Sequence, residues 1–277
     1  MRGWTEAMRH IFVMINENLS EAVAAAAELR EWSAAHDVEI SETLPAPCDP
    51  DLIVALGGDG TLLRAVHAAC SLTPPVLSIK FGRLGFLSGA GASRLIEAVS
   101  AALDGSARIE EHAVLEGRAL SGNDEIARLF AVNELVLRSA TAHMLTTRLI
   151  INGHVFSEVS GDGLIIATAT GSTAYALSVG GPVLSPGFDG LEVVPLAPHT
   201  LIRRAVVTAA RDRLRIELPD PTRADAALLC DGQNIPTSAP VTAVEVKVAA
   251  ERLRLVKLEA HNSYEVVARK FFGQSNE

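Results

Sequence analysis

A chain of 277 residues, 48% hydrophobic but only 4% aromatic, has material for one large or two ordinary domains and suits an α/β enzyme better than an aromatic-rich sandwich. Its net charge of −9 disfavours a nucleic-acid partner, because duplex binding relies on Lys and Arg neutralising phosphates. Three distant cysteines (Cys48, Cys70, Cys230) fit neither a disulfide framework nor a zinc pattern, and neither a secretory signal nor a membrane-length apolar run is evident, so a soluble cytoplasmic protein is expected.

Ile11–Ile15 is a short apolar run closed by Asn16-Glu17-Asn18, and helix formers follow from Leu19 to about Ala35, with Val23, Ala26, Ala27 and Ala34 expected on one face. Val38-Glu39-Ile40 reads as a second strand, and Pro45, Pro47 and Pro50 mark a loop. Leu52-Ile53-Val54-Ala55-Leu56 reads as a strand buried on both faces. A helix then runs to about Cys70, Val76–Ile79 gives another strand, and Ser93–Leu103 another helix that Gly105 ends. This alternation predicts βα units around a parallel sheet over 1–106. From 107 to 260 the chain offers many short β-type segments and almost no long helix, which predicts a second, β-rich domain. Examples are Phe130–Val132, Leu135–Leu137, Leu149–Ile151, Leu164–Ala167, Leu214–Leu218 and Val244–Val248. The tail, 261–277, reads as a helix over Ser263–Phe272 that returns to the first domain.

The loop Gly57-Gly58-Asp59-Gly60-Thr61 lies where the buried strand hands over to a helix. Its glycines permit backbone angles that side chains forbid and let a ligand approach the main chain. Exposed N–H groups at a helix start attract phosphate. An acid among such donors would repel phosphate, so Asp59 reads as a proton acceptor or a magnesium partner. A second dense stretch, Ser160 to Tyr175, runs from a Gly-Asp-Gly turn into the small and hydroxylated Thr168-Ala169-Thr170-Gly171-Ser172-Thr173-Ala174-Tyr175, with Gly180-Gly181-Pro182 soon after.

Together with Asn133-Glu134, Gly82-Arg83-Leu84-Gly85-Phe86-Leu87 and Pro198-His199-Thr200-Leu201, these motifs resemble the NAD kinase family over nearly the whole chain beyond about residue 50. The glycine loop alone is shared with diacylglycerol, sphingosine and 6-phosphofructo kinases, whereas the Thr-Gly-Ser-Thr-Ala-Tyr stretch is much more specific. The resemblance implies a Rossmann-like, phosphofructokinase-like first domain, a β-rich NAD-binding second domain, and phosphorylation of the 2′-hydroxyl of the adenosine ribose of NAD, giving NADP. It implies that Asp59 accepts the hydroxyl proton beside Gly60, with Gly57, Gly58, Gly60 and Thr61 as the phosphate loop. It places Arg64 near the dinucleotide, Asn133 and Glu134 on the nucleotide, His143 at a further NAD contact and Asp162 at the nicotinamide end. Thr173, Ala174, Tyr175, Ala176, Leu177 and Ser178 line the NAD site, and Gln233 makes a late contact.

The resemblance further implies ATP or polyphosphate as donor, Mg²⁺ or another divalent cation held mainly through the donor phosphates, and a homodimer or homotetramer. The sequence departs from the pattern at Ser78-Ile79-Lys80, usually Gly-Ile-Asn, and at Ala169, usually proline. An aspartate is a weak base toward a sugar hydroxyl, with an ordinary pKa of about 4. Phosphoryl transfer tolerates this because its loose transition state depends on positioning and electrostatics. Two other readings are a lipid kinase of the diacylglycerol type, which the acidic balance does not support, and a non-catalytic NAD-binding regulator, against which the intact Asp59 counts.

Overall fold

The computed structural model describes residues 9–43, 50–69, 71–82, 85–141, 143–199, 204–220, 225–258 and 268. They form two compact units, one made of the residues up to Glu111 and those from Arg252 onward, the other of His112–Glu251. Cys48, Cys70 and most of the tail expected to be helical lie outside the described residues, although Ala268 is helical. No helix among the described residues is long and apolar enough to cross a membrane.

In the first unit, β1 (Arg9–Ile15), β2 (Val38–Ser41), β3 (Leu52–Leu56) and β4 (Val76–Lys80) pair in parallel in the order β2-β1-β3-β4. The two-residue β5 (Ala90–Gly91) pairs with β4, as does Leu255 near the end of the long β17 (Ala243–Lys257). One face buries Ile11, Val13, Leu52, Val54, Leu56, Leu77 and Ile79 under helices α1 (Ser20–Ala34) and α3 (Leu95–Asp104). Period-two alternation turns Phe12, Ile53, Ala55 and Ser78 to the opposite face, where α2 (Asp59–Ala68) packs on β1, β3 and β4. α3 ends at Gly105, whose left-handed φ of 78° suits a residue without a side chain. The buried stripe of α1 is Ala22, Ala25, Ala26, Leu29 and Ser33, while Val23, Ala27 and Ala34 are exposed. Of the expected face only Ala26 is inside. Alanines on every side of this helix give it no direction, and Leu29 decides which way it turns.

The second unit is two antiparallel sheets packed face to face. One contains β6 (Arg108–Ser121) and β7 (Asp124–Ala131), together with β9 (Leu145–Ile151), β10 (His154–Gly161), β14 (Leu214–Glu217) and the first half of β17. The other has the order β13-β12-β11-β8-β15-β16 and comprises β8 (Glu134–Ser139), β11 (Gly163–Ala167), β12 (Gly190–Leu196), β13 (Val206–Ala209), β15 (Ala226–Cys230) and β16 (Gln233–Ile235). Between them lie Leu115, Leu129, Leu149, Ile216 and Val244 of one sheet and Leu135, Leu137, Leu164, Ile166, Val193 and Leu228 of the other. Cys230 belongs to this core, and burial pushes its thiol up to about 12, so it is unreactive. The β9–β10 and β15–β16 hairpins turn on Asn152-Gly153 and Asp231-Gly232, all four residues at positive φ, as a tight two-residue turn requires.

The other face of the first sheet is a cross-strand ladder of charge. Arg148 meets Glu158 at 2.9 Å and Glu217 at 3.8 Å, Arg215 meets Glu217 and Glu245 at 2.9 and 2.7 Å, and Arg118 meets Glu245 at 2.8 Å. These half-exposed pairs individually contribute little. They do give the solvent side of the sheet a register, each cation standing between two acids.

The far face of the six-stranded sheet buries Val136, Ile165, Ala167, Val194 and Leu196 under Ala176 of the short helix α4 (Tyr175–Ser178). Glu192 shares this side of β12 with Val194, is 0% exposed, and has no hydrogen-bond partner among the described residues on either carboxylate oxygen. Burial pushes its carboxyl up to about 7. Since the unfolded value is about 4.3, the folded state holds the extra proton between those limits, and stability falls as pH rises through that window. Glu192→Gln cannot ionise. Urea unfolding followed by circular dichroism should show wild type losing about 1–3 kcal/mol relative to the variant between pH 5 and pH 8, the usual cost of an unsatisfied buried group.

Candidate active site

In the first unit the site is built at the end of β3. All five residues of that strand are buried, and the chain leaves it through Gly57, whose N–H donates to the Ile79 carbonyl at 3.0 Å. A β-carbon on Gly57 would come within 2.3 Å of Thr61 Oγ1, so glycine is required here by contact. Thr61 is itself buried against that position and faces inward. Gly58 and Gly60 differ from expectation. Gly58 caps α2 in an ordinary extended conformation, and a β-carbon at either position meets nothing within 4 Å. What these two glycines supply is open space at the helix start, where free N–H groups and the helix dipole favour an anion.

Asp59 is the first residue of α2 and is half-buried. Its Oδ1 is buried with no hydrogen-bond partner among the described residues. A β-carbon on Gly85 would lie 2.4 Å from that oxygen and 2.6 Å from Lys80 Nζ, so both groups border the notch left by the missing side chain. Lys257 is 4% exposed and donates from Nζ to the Ser88 carbonyl at 2.7 Å, while Ser88 Oγ accepts from Gly85 N–H at 3.0 Å. Burial pushes the Lys257 ammonium below its ordinary range, and the negative charges of Glu110 and Asp59 oppose that shift. Lys257 was invisible to sequence reasoning because no local motif surrounds it. Arg64, farther along α2, is exposed. Arg83 and Leu84 of the expected motif lie outside the described residues.

In the second unit, Asn133-Glu134 opens β8 and is held by a residue that sequence reasoning missed. The Asp231 carboxylate accepts from the backbone N–H groups of Val132, Asn133 and Glu134 at 2.8, 2.7 and 3.2 Å. The only signal for this was the Asp-Gly turn it initiates. Glu134 is 7% exposed with Oε2 unpartnered. Burial, then the Asp231 charge, raises its carboxyl to about 7, against the lowering effect of the Tyr175 N–H. The second motif closes on the same place. Thr168 N–H donates to the Asn133 carbonyl at 2.9 Å, Thr168 Oγ1 to the Val132 carbonyl at 2.6 Å, and a β-carbon on Gly171 would lie 2.1 Å from the Asn133 carbonyl. Tyr175 is exposed, Thr173, Ala174 and Leu177 are half-buried, and Ser178 and Gln233 are exposed. Ala176 is fully buried, its methyl in the core under α4.

His143 and Asp162 belong to the other end of β8. Ser139 N–H donates to the Asp162 carbonyl at 2.9 Å, Thr141 N–H to Ser139 Oγ at 3.1 Å, and His143 N–H to Thr141 Oγ1 at 3.3 Å. Asp162 and His143 are both exposed. From Glu134 to Ser139 is five residue steps along a strand, about 17 Å at 3.4 Å per residue. The second unit thus carries two polar clusters at opposite ends of one strand.

Comparison with known proteins identifies the family. The family model described as ATP-NAD kinase N-terminal domain matches residues 7–107, and that described as ATP-NAD kinase C-terminal domain matches 132–258. A Pseudomonas putida (strain W619) protein named NAD kinase is 35% identical over 265 residues, covering 95% of this chain and 86% of its own length. An Azotobacter vinelandii NAD kinase is 34% identical over 263 residues with the same coverage. Among solved structures, yeast NADH kinase complexed with NADH superposes with a TM-score of 0.85 at 21% identity, covering 99% of this chain and 90% of that one. An NAD kinase from Archaeoglobus fulgidus in complex with ATP gives 0.72 at 22% identity, covering 96% and 97%. Both halves of the chain match in order and the curated relatives align along nearly all of it: the chain is a kinase of the ATP-NAD kinase family.

Proposed function

We propose that this kinase transfers the γ-phosphoryl group of ATP to the 2′-hydroxyl of the adenosine ribose of NAD, with Asp59 receiving the hydroxyl proton. The observation that carries this reading is the Asp59 carboxylate itself, with a buried oxygen that no group among the described residues satisfies. A buried unpaired acceptor costs about 1–3 kcal/mol, and a ligand donor removes that cost. The open helix start beside it suits the phosphates. A Mg²⁺ ion would be carried mainly on the donor phosphates with most of its waters, where it would supply charge neutralisation.

The two polar clusters of the second unit suit the two ends of a dinucleotide. Asn133, Glu134, Tyr175 and Gln233 take one nucleoside and Asp162 with His143 the nicotinamide end, with Thr173, Ala174, Leu177 and Ser178 beside the first. Ala176 contributes by fixing α4, and Arg64, exposed on α2, is assigned as a further dinucleotide contact. Exposed Val155 and Phe156 of β10 and Val207 of β13 support a homodimer or homotetramer.

Purified protein should form NADP from NAD, ATP and magnesium, and Asp59→Asn should lower kcat about 10²- to 10⁴-fold, the range for a general base. Near wild-type turnover by a folded Asp59→Asn variant would remove the proton-acceptor role. Glu134 supplies a second expectation. A ribose or amino donor on its carboxylate lowers the pKa from about 7, so binding releases protons and NAD affinity rises with pH between about 5 and 7. Calorimetry in buffers of different ionisation enthalpy should detect this release, and Glu134→Gln should abolish it.

A further inference from the structure

Only four of the chain's 24 lysines and arginines are lysines, at 80, 247, 257 and 270, so the arrival of Lys80 and Lys257 at one carboxylate calls for a reason. Lys80 ends β4, on the same face as Ser78 and as α2. A lysine at a strand end ordinarily extends its ammonium into water. Here Nζ and Asp59 Oδ1 lie 2.6 and 2.4 Å from one point, the position of the β-carbon that Gly85 lacks, so they are separated by no more than the sum of those distances. Even so Oδ1 has no hydrogen-bond partner among the described residues. Two opposite charges therefore border the same gap without closing on each other, and a group with a proton for the carboxylate, followed by an oxygen anion for the ammonium, fits between them. A sugar hydroxyl approaching a phosphorus is such a group.

We propose that Lys80 is a catalytic residue of the phosphoryl transfer, its ammonium donating to a non-bridging oxygen of the phosphoryl group in flight while Asp59 takes the proton of the attacking hydroxyl. This rests on the function proposed above. The ribose oxygen forms a bond to the γ-phosphorus, the bond from that phosphorus to the β,γ-bridging oxygen breaks, and its electron pair leaves with ADP. The hydroxyl proton passes to the Asp59 carboxylate, and Lys80 keeps its own protons throughout. In a loose transition state charge spreads over the equatorial oxygens, and a fixed cation there acts without reorganising. A compact ammonium suits a gap this narrow, where a guanidinium fork is wider. Lys257 is a positioning residue. Its bond to the Ser88 carbonyl, and that of Ser88 Oγ to Gly85 N–H, hold residue 85 at the gap.

The test is steady-state kinetics of NADP formation by the full-length protein, wild type and Lys80→Met, Lys80→Arg and Gly85→Ala, with melting temperatures for all four. A wild type that makes no NADP defeats the functional reading and the present inference falls with it. If wild type is active, Lys80→Met should lose about 10²-fold in kcat at saturating ATP and magnesium, with KM for NAD changed by less than about threefold and the melting temperature retained. Lys80→Arg should fall between the two, and Gly85→Ala should behave like Lys80→Met because its methyl fills the gap. A folded Lys80→Met with kcat within about threefold of wild type, or with a loss confined to KM for NAD or to the melting temperature, overturns the proposal and leaves the NADP-forming activity standing.

Discussion

The first unit is organised around keeping one carboxylate oxygen buried and unbonded. Asp59 stands at the first position of α2, where the helix dipole favours its charge, but the free N–H groups of that helix start do not reach its Oδ1. Its surroundings are rigid. β3 is inaccessible along its whole length, Gly57 is bonded to β4, and Thr61 packs into the space that a side chain at 57 would need. On the far side, Gly89 N–H donates to the Ser78 carbonyl at 2.9 Å, and a β-carbon on Gly89 would lie 2.4 Å from the Val256 carbonyl. The segment from 85 to 89 is therefore held between β4 and β17 with no room for larger residues at either end. A polar group kept unsatisfied inside such a frame is waiting for a ligand.

The second unit solves a related problem differently. Its acids are held apart by function. Those on the outer face of the β10-β9-β14-β17 layer are matched by arginines one strand away, whereas Glu134 and Glu192 are left without full partners among the described residues, in apolar surroundings. The two buried acids differ in their neighbours. Glu134 sits beside the Asp231 carboxylate, which is itself fixed by three backbone donors, and next to a segment rich in small residues. Glu192 lies on the face of β12 that Ala176 of α4 helps to cover, with Ala167 and Val207 as its register partners. In a chain of net charge −9, three arginines serve the ladder and two lysines lie near Asp59.

Much of this was legible beforehand for identifiable reasons. Doubly buried strands with glycine behind them declare themselves through composition, so β3, β4 and the loop carrying Asp59 could be read directly, and the change to β-rich segments after residue 106 marked a second architecture. The family resemblance singled out Asn133, Glu134 and the segment from Thr173, and the structure brings Glu134 and Tyr175 together. Less legible were features that depend on distant partners. The face of α1 was misread because its alanines carry almost no directional signal, and β6 and β17 are long strands where short segments were expected. Asp231 and Lys257 act on residues 97 to 99 and 169 positions away, respectively. Asn152-Gly153 was a hairpin signal present in the sequence and not used.

The route of β17 has a consequence for how the protein is made. Its start pairs with β14, and Leu255 near its end is the residue that joins Val76 of β4. Synthesis runs from the N-terminus and domains generally fold as units while it proceeds. β5 covers the end of the β4 edge early, but the start of that edge at Val76 must wait until some 175 residues beyond β4 have left the ribosome, on the order of 10 to 35 s at ordinary rates of elongation. Lys257 arrives with that last strand. A nascent or prematurely terminated chain that has folded only its early strands thus possesses the acid without the frame that holds residue 85 beside it, and carries an open edge that invites pairing with other chains.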